Sequence, residues 1–156
     1  TAKMALGLGM KVIAADSFIP QVDIKVEFFD GQSITTTIVS QSLESLFKEA
    51  DFITLHVPAQ DSYIIGEKEL AIMKDGVGIV NCARGGVIDE VALIKALDSG
   101  KVLFAGLDVF ENEPTPEMAI LMNHKISLTP HIGAATGEAQ DRIGTELASQ
   151  IISILG

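Results

Sequence analysis

Short unbroken apolar runs alternate along the chain with segments in which apolar residues recur every three or four positions. The runs at 11–16, 51–58, 78–82, 102–107 and 126–129 are bounded by Gly, Pro or polar residues and read as buried strands. The periodic segments predict helices over 1–10, 43–49, 67–73, 91–97 and 136–155, with a helical turn at 118–122. Gly9 and Gly100 supply helix stops, and Ser42 and Asp89 supply N-caps. Residues 17–24 read as a loop held by Pro20. Residues 25–29 and 34–39 read as a hairpin turning at Asp30-Gly31. The last helix carries Ile143, Leu147, Ile151 and Ile154 as one apolar stripe. Strands alternating with helices predict an α/β fold, a doubly wound and mostly parallel sheet with right-handed crossovers.

Composition narrows the function classes. A chain of 156 residues with 47% hydrophobic and 21% charged residues can bury a core and is not an acidic disordered segment. A net charge of -10 opposes nucleic acid and anionic membrane as partners. The single cysteine excludes an internal disulfide and fits a reducing, cytoplasmic setting. No signal-peptide pattern opens the sequence, and no apolar run reaches the length of a membrane span. Cys and His do not cluster at zinc spacing, so no metal is expected. Gly-x-Ser-x-Gly is missing, which gives nucleophilic catalysis little support.

What remains is a set of polar residues at predicted strand ends. Asp16 follows the first run, Arg84 the third, Asp108 the fourth and His131 the fifth, and Glu113 lies in the loop after Asp108. In an open parallel sheet the carboxyl ends of the strands share one rim, and ligands bind there. Each residue also has a plain structural reading. Asp16 fits a cap after a strand, Arg84 an arginine in a glycine-rich surface turn, Glu113 a solvated loop acid, and His131 a loop histidine packed by the next helix. Together they make a set suited to moving a hydride to a 2-oxo acid. Arg84 would fork onto a carboxylate and polarise the carbonyl. His131 would exchange a proton with the carbonyl oxygen. Glu113 would orient the imidazole and favour its protonated form. A helix followed by a strand ending in Asp is also the second half of a dinucleotide-binding βαβ unit, with Asp16 as the ribose acid.

Three segments carry a resemblance: 81–86 (Asn-Cys-Ala-Arg-Gly-Gly), 107–114 (Leu-Asp-Val-Phe-Glu-Asn-Glu-Pro) and 129–134 (Thr-Pro-His-Ile-Gly-Ala). With 51–58 in support, the chain resembles the D-isomer-specific 2-hydroxyacid dehydrogenases, and within them the D-3-phosphoglycerate dehydrogenase branch of serine biosynthesis. The resemblance implies a Rossmann-like NAD-binding domain over 1–156, lacking its first strand and glycine-rich turn. Residues 136–156 would form a helix leading back toward a substrate domain absent from the sequence. It implies Arg84, Glu113 and His131 as the catalytic trio. For NAD it implies Asp16 at the adenosine ribose, Val57 as a backbone contact, Cys82, Ala83, Arg84 and Asp108 near the nicotinamide, and His131, Ile132, Gly133 and Ala134 closing over it. A small 2-hydroxy or 2-oxo acid is the implied substrate and a homodimer the implied assembly. Hydroxypyruvate, D-lactate and formate enzymes, and non-enzymatic NAD-sensing corepressors, share this domain and remain alternatives.

Overall fold

The computed structural model describes residues 1–155, so Gly156, the end of the expected C-terminal helix segment, lies outside them. The chain opens with α1 (Ala2–Gly7), followed by the antiparallel hairpin β1 (Gln21–Glu27) and β2 (Ser33–Val39). Then come α2 (Leu43–Glu49), β3 (Phe52–Leu55), α3 (Glu67–Ile72), β4 (Val77–Asn81), α4 (Glu90–Ser99), β5 (Val102–Leu107), α5 (Met118–Leu121), β6 (Ile126–Leu128) and α6 (Gly137–Leu155). Strands β3, β4, β5 and β6 form one parallel sheet in sequential order. This is the α/β, parallel-sheet arrangement that the alternation of runs predicts, and it matches the Rossmann-like domain that the resemblance implies. No described helix is long and apolar enough to cross a membrane.

Local chemistry explains the boundaries. Ser42 accepts the Ser45 amide at the start of α2, and Asp89 accepts the Ala92 amide at the start of α4. Gly100 ends α4 in the left-handed region at φ 79°, where a Cβ would be strained. Alternate residues of the strands enter the core: Ile53 and Leu55, Val77 and Ile79, Ala105 and Leu107. Against them α4 places Ala92, Leu93, Ala96 and Leu97, with Leu93 and Leu97 fully buried. On the opposite face Phe52, Gly78 and Phe104 form one cross-strand row, and both phenyl rings are exposed. The two rings stand 6.1 Å apart over Gly78. A Cβ there would come within 2.6 Å of the Phe104 ring.

Three expectations are corrected. Residues 11–16 do not form a strand; they make one parallel bridge, Ala14 with Ser40, and are half-buried or exposed. A strand is held by its neighbours, and this segment has no partner in the four-stranded sheet. The predicted 17–24 loop is shorter, because β1 already begins at Gln21. The stretch has Val22, Ile24 and Val26 alternating with polar residues, a strand pattern that the prediction began too late. The hairpin turn is wider than a two-residue Asp-Gly loop, since Phe28 still pairs with Gln32 and Gly31 sits at φ 84°. The last helix forms as expected, over Gly137–Leu155, and its stripe of Ile143, Leu147, Ile151 and Ile154 lies exposed on its surface.

Candidate active site

The loops beyond β4, β5 and β6 meet at the carboxyl rim of the sheet. The rim begins as ladder bonding carried one residue past the strands. The Asp108 amide donates to the Asn81 carbonyl and the Thr129 amide donates to the Leu107 carbonyl, both at 3.0 Å. Asn81 is buried, and its side chain shapes the turn that follows. Its Oδ1 accepts the Ala83 amide at 3.1 Å, and its Nδ2 donates to the Arg84 carbonyl at 2.9 Å. Arg84 is thereby presented at the surface. Its Nη1 donates to the Ala83 carbonyl at 2.6 Å, and no described carboxylate lies within ion-pairing distance of the guanidinium. Gly85 has the close approach its position suggests, and the approaching group is the Phe110 carbonyl. A Cβ at Gly85 would collide with that carbonyl, so the Arg84 turn packs directly on the loop after β5.

Asp108 organises the other side of the rim. Its carboxylate is buried and accepts Thr129 Oγ1 at 2.5 Å, the Ile132 amide at 2.9 Å and the Gly133 amide at 2.8 Å. Burial works to raise its pKa. The bonds from Thr129, Ile132 and Gly133, with the nearby His131, outweigh burial and hold the group below the ordinary aspartate value. Gly133 allows this approach, because a Cβ there would stand 2.9 Å from Oδ2. The clamp holds His131 at φ 54°, the only non-glycine residue with positive φ among the described residues. Such a conformation costs about 1–3 kcal/mol and persists only where the surroundings enforce it.

Glu113 and His131 meet directly. Nδ1 of His131 lies 2.7 Å from Oε2 of Glu113, although eighteen positions separate them. Glu113 Oε1 accepts the Phe110 amide at 2.9 Å, so the carboxylate is fixed at both oxygens. The His131 bond first, and the Phe110 amide second, hold Glu113 below the usual glutamate range. With Nδ1 engaged, Nε2 is the ring nitrogen left to face a ligand. The pair forms the polar end of a cleft of about 410 Å³ walled by Phe110, Pro114, Leu121 and Leu128.

The remaining candidates divide. Cys82 is exposed at the β4 end, and partial burial followed by the charge of Asp108 pushes its thiol up. Ala83 is buried beside it, and Val57 is half-buried against the core. Ile132 is exposed, and the Ala134 carbonyl accepts Gln140 Nε2 at 2.8 Å, which ties the rim to α6. Asp16 lies apart from this network. Its Oδ1 accepts the Phe18 and Ile19 amides, which hold its pKa down, and its backbone exchanges bonds with the Ser40 hydroxyl. Oδ2 of Asp16 has no partner among the described residues. Sequence reasoning missed the organising roles of Asn81 and Thr129. A polar residue ending an otherwise apolar strand was the available signal for Asn81.

Comparison with known proteins gives this arrangement a context. Residues 1–133 match the model of the D-isomer specific 2-hydroxyacid dehydrogenase NAD-binding domain. The chain is 51% identical to a hydroxypyruvate reductase of Thermotoga maritima over 160 residues, covering 99% of this chain and 48% of that protein. It is 44% identical to a D-3-phosphoglycerate dehydrogenase of Methanocaldococcus jannaschii, covering 98% of this chain and 28% of that protein. Among solved structures, it superimposes with a TM-score of 0.73 on D-lactate dehydrogenase from Aquifex aeolicus complexed with NAD and lactic acid. That pair is 32% identical and covers 99% of this chain and 49% of the other. The chain thus spans half or less of the length of these relatives.

Proposed function

Because the chain belongs to the D-isomer-specific 2-hydroxyacid dehydrogenases, an NAD-binding enzyme family, we propose that Arg84, Glu113 and His131 act together on the carbonyl of one 2-oxo acid. The observation that carries this reading is the Glu113–His131 pair at 2.7 Å, on the same carboxyl rim as Arg84, whose guanidinium has no ion-pair partner among the described residues. Arg84 takes the substrate carboxylate with its planar fork and draws electron density from the adjacent carbonyl. His131 gives a proton from Nε2 to that carbonyl oxygen during reduction and takes it back during oxidation. Glu113 fixes the tautomer through Nδ1 and balances the imidazolium charge. NAD, when bound, supplies the hydride chemistry.

The residues present fit that cofactor. Asp16 keeps one carboxylate oxygen free for a ribose hydroxyl, since both of its internal bonds fall on Oδ1. Cys82, Ala83 and Arg84 bring their backbone to the β4 end, and Val57 follows β3 on the same rim. His131, Ile132, Gly133 and Ala134 lie exposed beside it. We assign Asp108 the holding of this last segment.

For the substrate we take D-3-phosphoglycerate, oxidised to 3-phosphohydroxypyruvate, with a homodimer in the cytoplasm as the working form. Two of the relatives described above are named for hydroxypyruvate and for D-3-phosphoglycerate, and the oxo acid formed from the latter is hydroxypyruvate carrying a phosphate. The test is an NADH-absorbance assay of the full gene product with 3-phosphohydroxypyruvate, hydroxypyruvate, pyruvate and glyoxylate. The reading expects the highest kcat/KM with 3-phosphohydroxypyruvate. A preference for hydroxypyruvate would replace the substrate but keep the chemistry, and no NADH oxidation with any 2-oxo acid would remove both.

A further inference from the structure

A second carboxylate exchange lies behind the site. Glu90, the first residue of α4, is buried. Its amide donates to Glu111 Oε1 at 2.9 Å, and the Glu111 amide donates to Glu90 Oε1 at 2.8 Å. The two residues are twenty-one positions apart and swap backbone-to-carboxylate bonds reciprocally. Tyr63 closes the arrangement by donating its hydroxyl to Glu111 Oε2 at 3.2 Å. Burying a carboxylate is costly, so its presence here asks for a purpose. Burial first, then the charges of Glu111, Glu117 and Glu113, push the Glu90 carboxyl above the ordinary range, against the opposing bond from the Glu111 amide. Its Oε2 is buried with no partner among the described residues.

We propose that Glu90 is a positioning residue for the Glu113–His131 pair, acting by tying Glu111 to the start of α4. Glu111 lies two residues before Glu113, and the Phe110 amide just before it binds Glu113 Oε1. The segment 108–113 is therefore held at two places. Asp108 holds it to the 129–133 loop, and Glu90 holds it to α4. The second tie decides where the Glu113 carboxylate points. Without it the loop keeps its sequence and its histidine but loses the aim of the acid. A displacement on the order of 1 Å at such a group costs roughly a hundredfold in rate. The inference rests on the reading of Glu113 and His131 as the acid/base pair.

The test uses the full gene product and three variants. Glu90→Gln keeps an oxygen that can accept the Glu111 amide, whereas Glu90→Ala does not. Glu111→Ala removes the other half of the exchange from a side chain that is only half-buried, so it remains informative if Glu90→Ala does not fold. The first readout is the imidazole NMR titration of His131, assigned by loss of its signal in His131→Gln. The charged groups facing the ring are Glu113 and Asp108, and neither is altered. Glu90→Ala and Glu111→Ala are expected to move the His131 midpoint, with Glu90→Gln close to the unmodified protein. The second readout is the pH profile of kcat. Both alanine variants should lose about ten- to hundredfold in kcat with KM little changed, and Glu90→Gln should recover most of it. An unmoved His131 titration in both alanine variants would overturn the clamp. If the unmodified protein turns over no 2-oxo acid, the dehydrogenase reading fails, and the titration still judges the clamp by itself.

Discussion

Replacing Asp108 by alanine should unmake the rim. The side chain is buried and accepts three hydrogen bonds, from Thr129 Oγ1, the Ile132 amide and the Gly133 amide. A hydrogen bond to a charged group contributes about 1.5–3 kcal/mol. Three donors sharing one anion do not add fully, so about 3–5 kcal/mol is the working figure for the loss. Part is returned, because His131 can leave its φ of 54° once the 132–133 amides are free. That relief is worth about 1 kcal/mol or more. The net destabilisation expected from urea unfolding is therefore about 2–4 kcal/mol. The sign of the pH dependence is fixed as well. Asp108 is held below its ordinary value of 3.8, so its stabilisation is fully present above that pH and drains as pH falls below it. Asp108→Asn should lose that acid-limb slope while keeping the shape of the side chain. Hydrogen exchange supplies the local readout, since the Ile132 and Gly133 amides should lose protection ahead of Ile79 in the sheet. Unfolding within about 0.5 kcal/mol of the parent, with those two amides still protected, would refute the reasoning.

Other consequences follow from the same contacts. His131→Ala should lower turnover by about 10²–10⁴-fold in an NADH-absorbance assay, as loss of a general acid/base does. Arg84→Lys should raise KM and lower kcat for 2-oxo acids, since a point charge cannot reproduce the fork, and its far-ultraviolet spectrum should not change. Gly85→Ala should lower the melting temperature and the activity together, because the added methyl meets the Phe110 carbonyl, a backbone atom that cannot swing aside. Leu93→Ala, at a fully buried position in α4, should cost about 2–5 kcal/mol in denaturant unfolding.

The sheet was readable from sequence because each strand is a short apolar run stopped by a polar residue, and the helix ends were readable through Ser42, Asp89 and Gly100. Residues 11–16 misled for a physical reason. Their apolar run is the same local signal as that of β4, but pairing depends on neighbours that composition does not report. The meeting of Glu113 with His131 was expected from strand ends sharing one rim, and the 2.7 Å contact agrees with it. The supporting layer was not legible. Asp108 holding the 132–133 amides, Asn81 shaping the Arg84 turn, and Glu90 exchanging bonds with Glu111 are all long-range pairings of common polar residues. No spacing rule singles them out, because each depends on which loops the sheet brings together.

The proposed mechanism requires Arg84 and His131 to act at one carbonyl. A crystal structure of the full gene product with NAD and a non-reacting 2-oxo acid analogue tests this most directly. The expected result has the analogue carboxylate forked by the Arg84 guanidinium, and Nε2 of His131 at about 2.6–3.2 Å from the neighbouring oxygen. An analogue bound with Arg84 turned away, or with His131 offering it neither ring nitrogen, would contradict the mechanism.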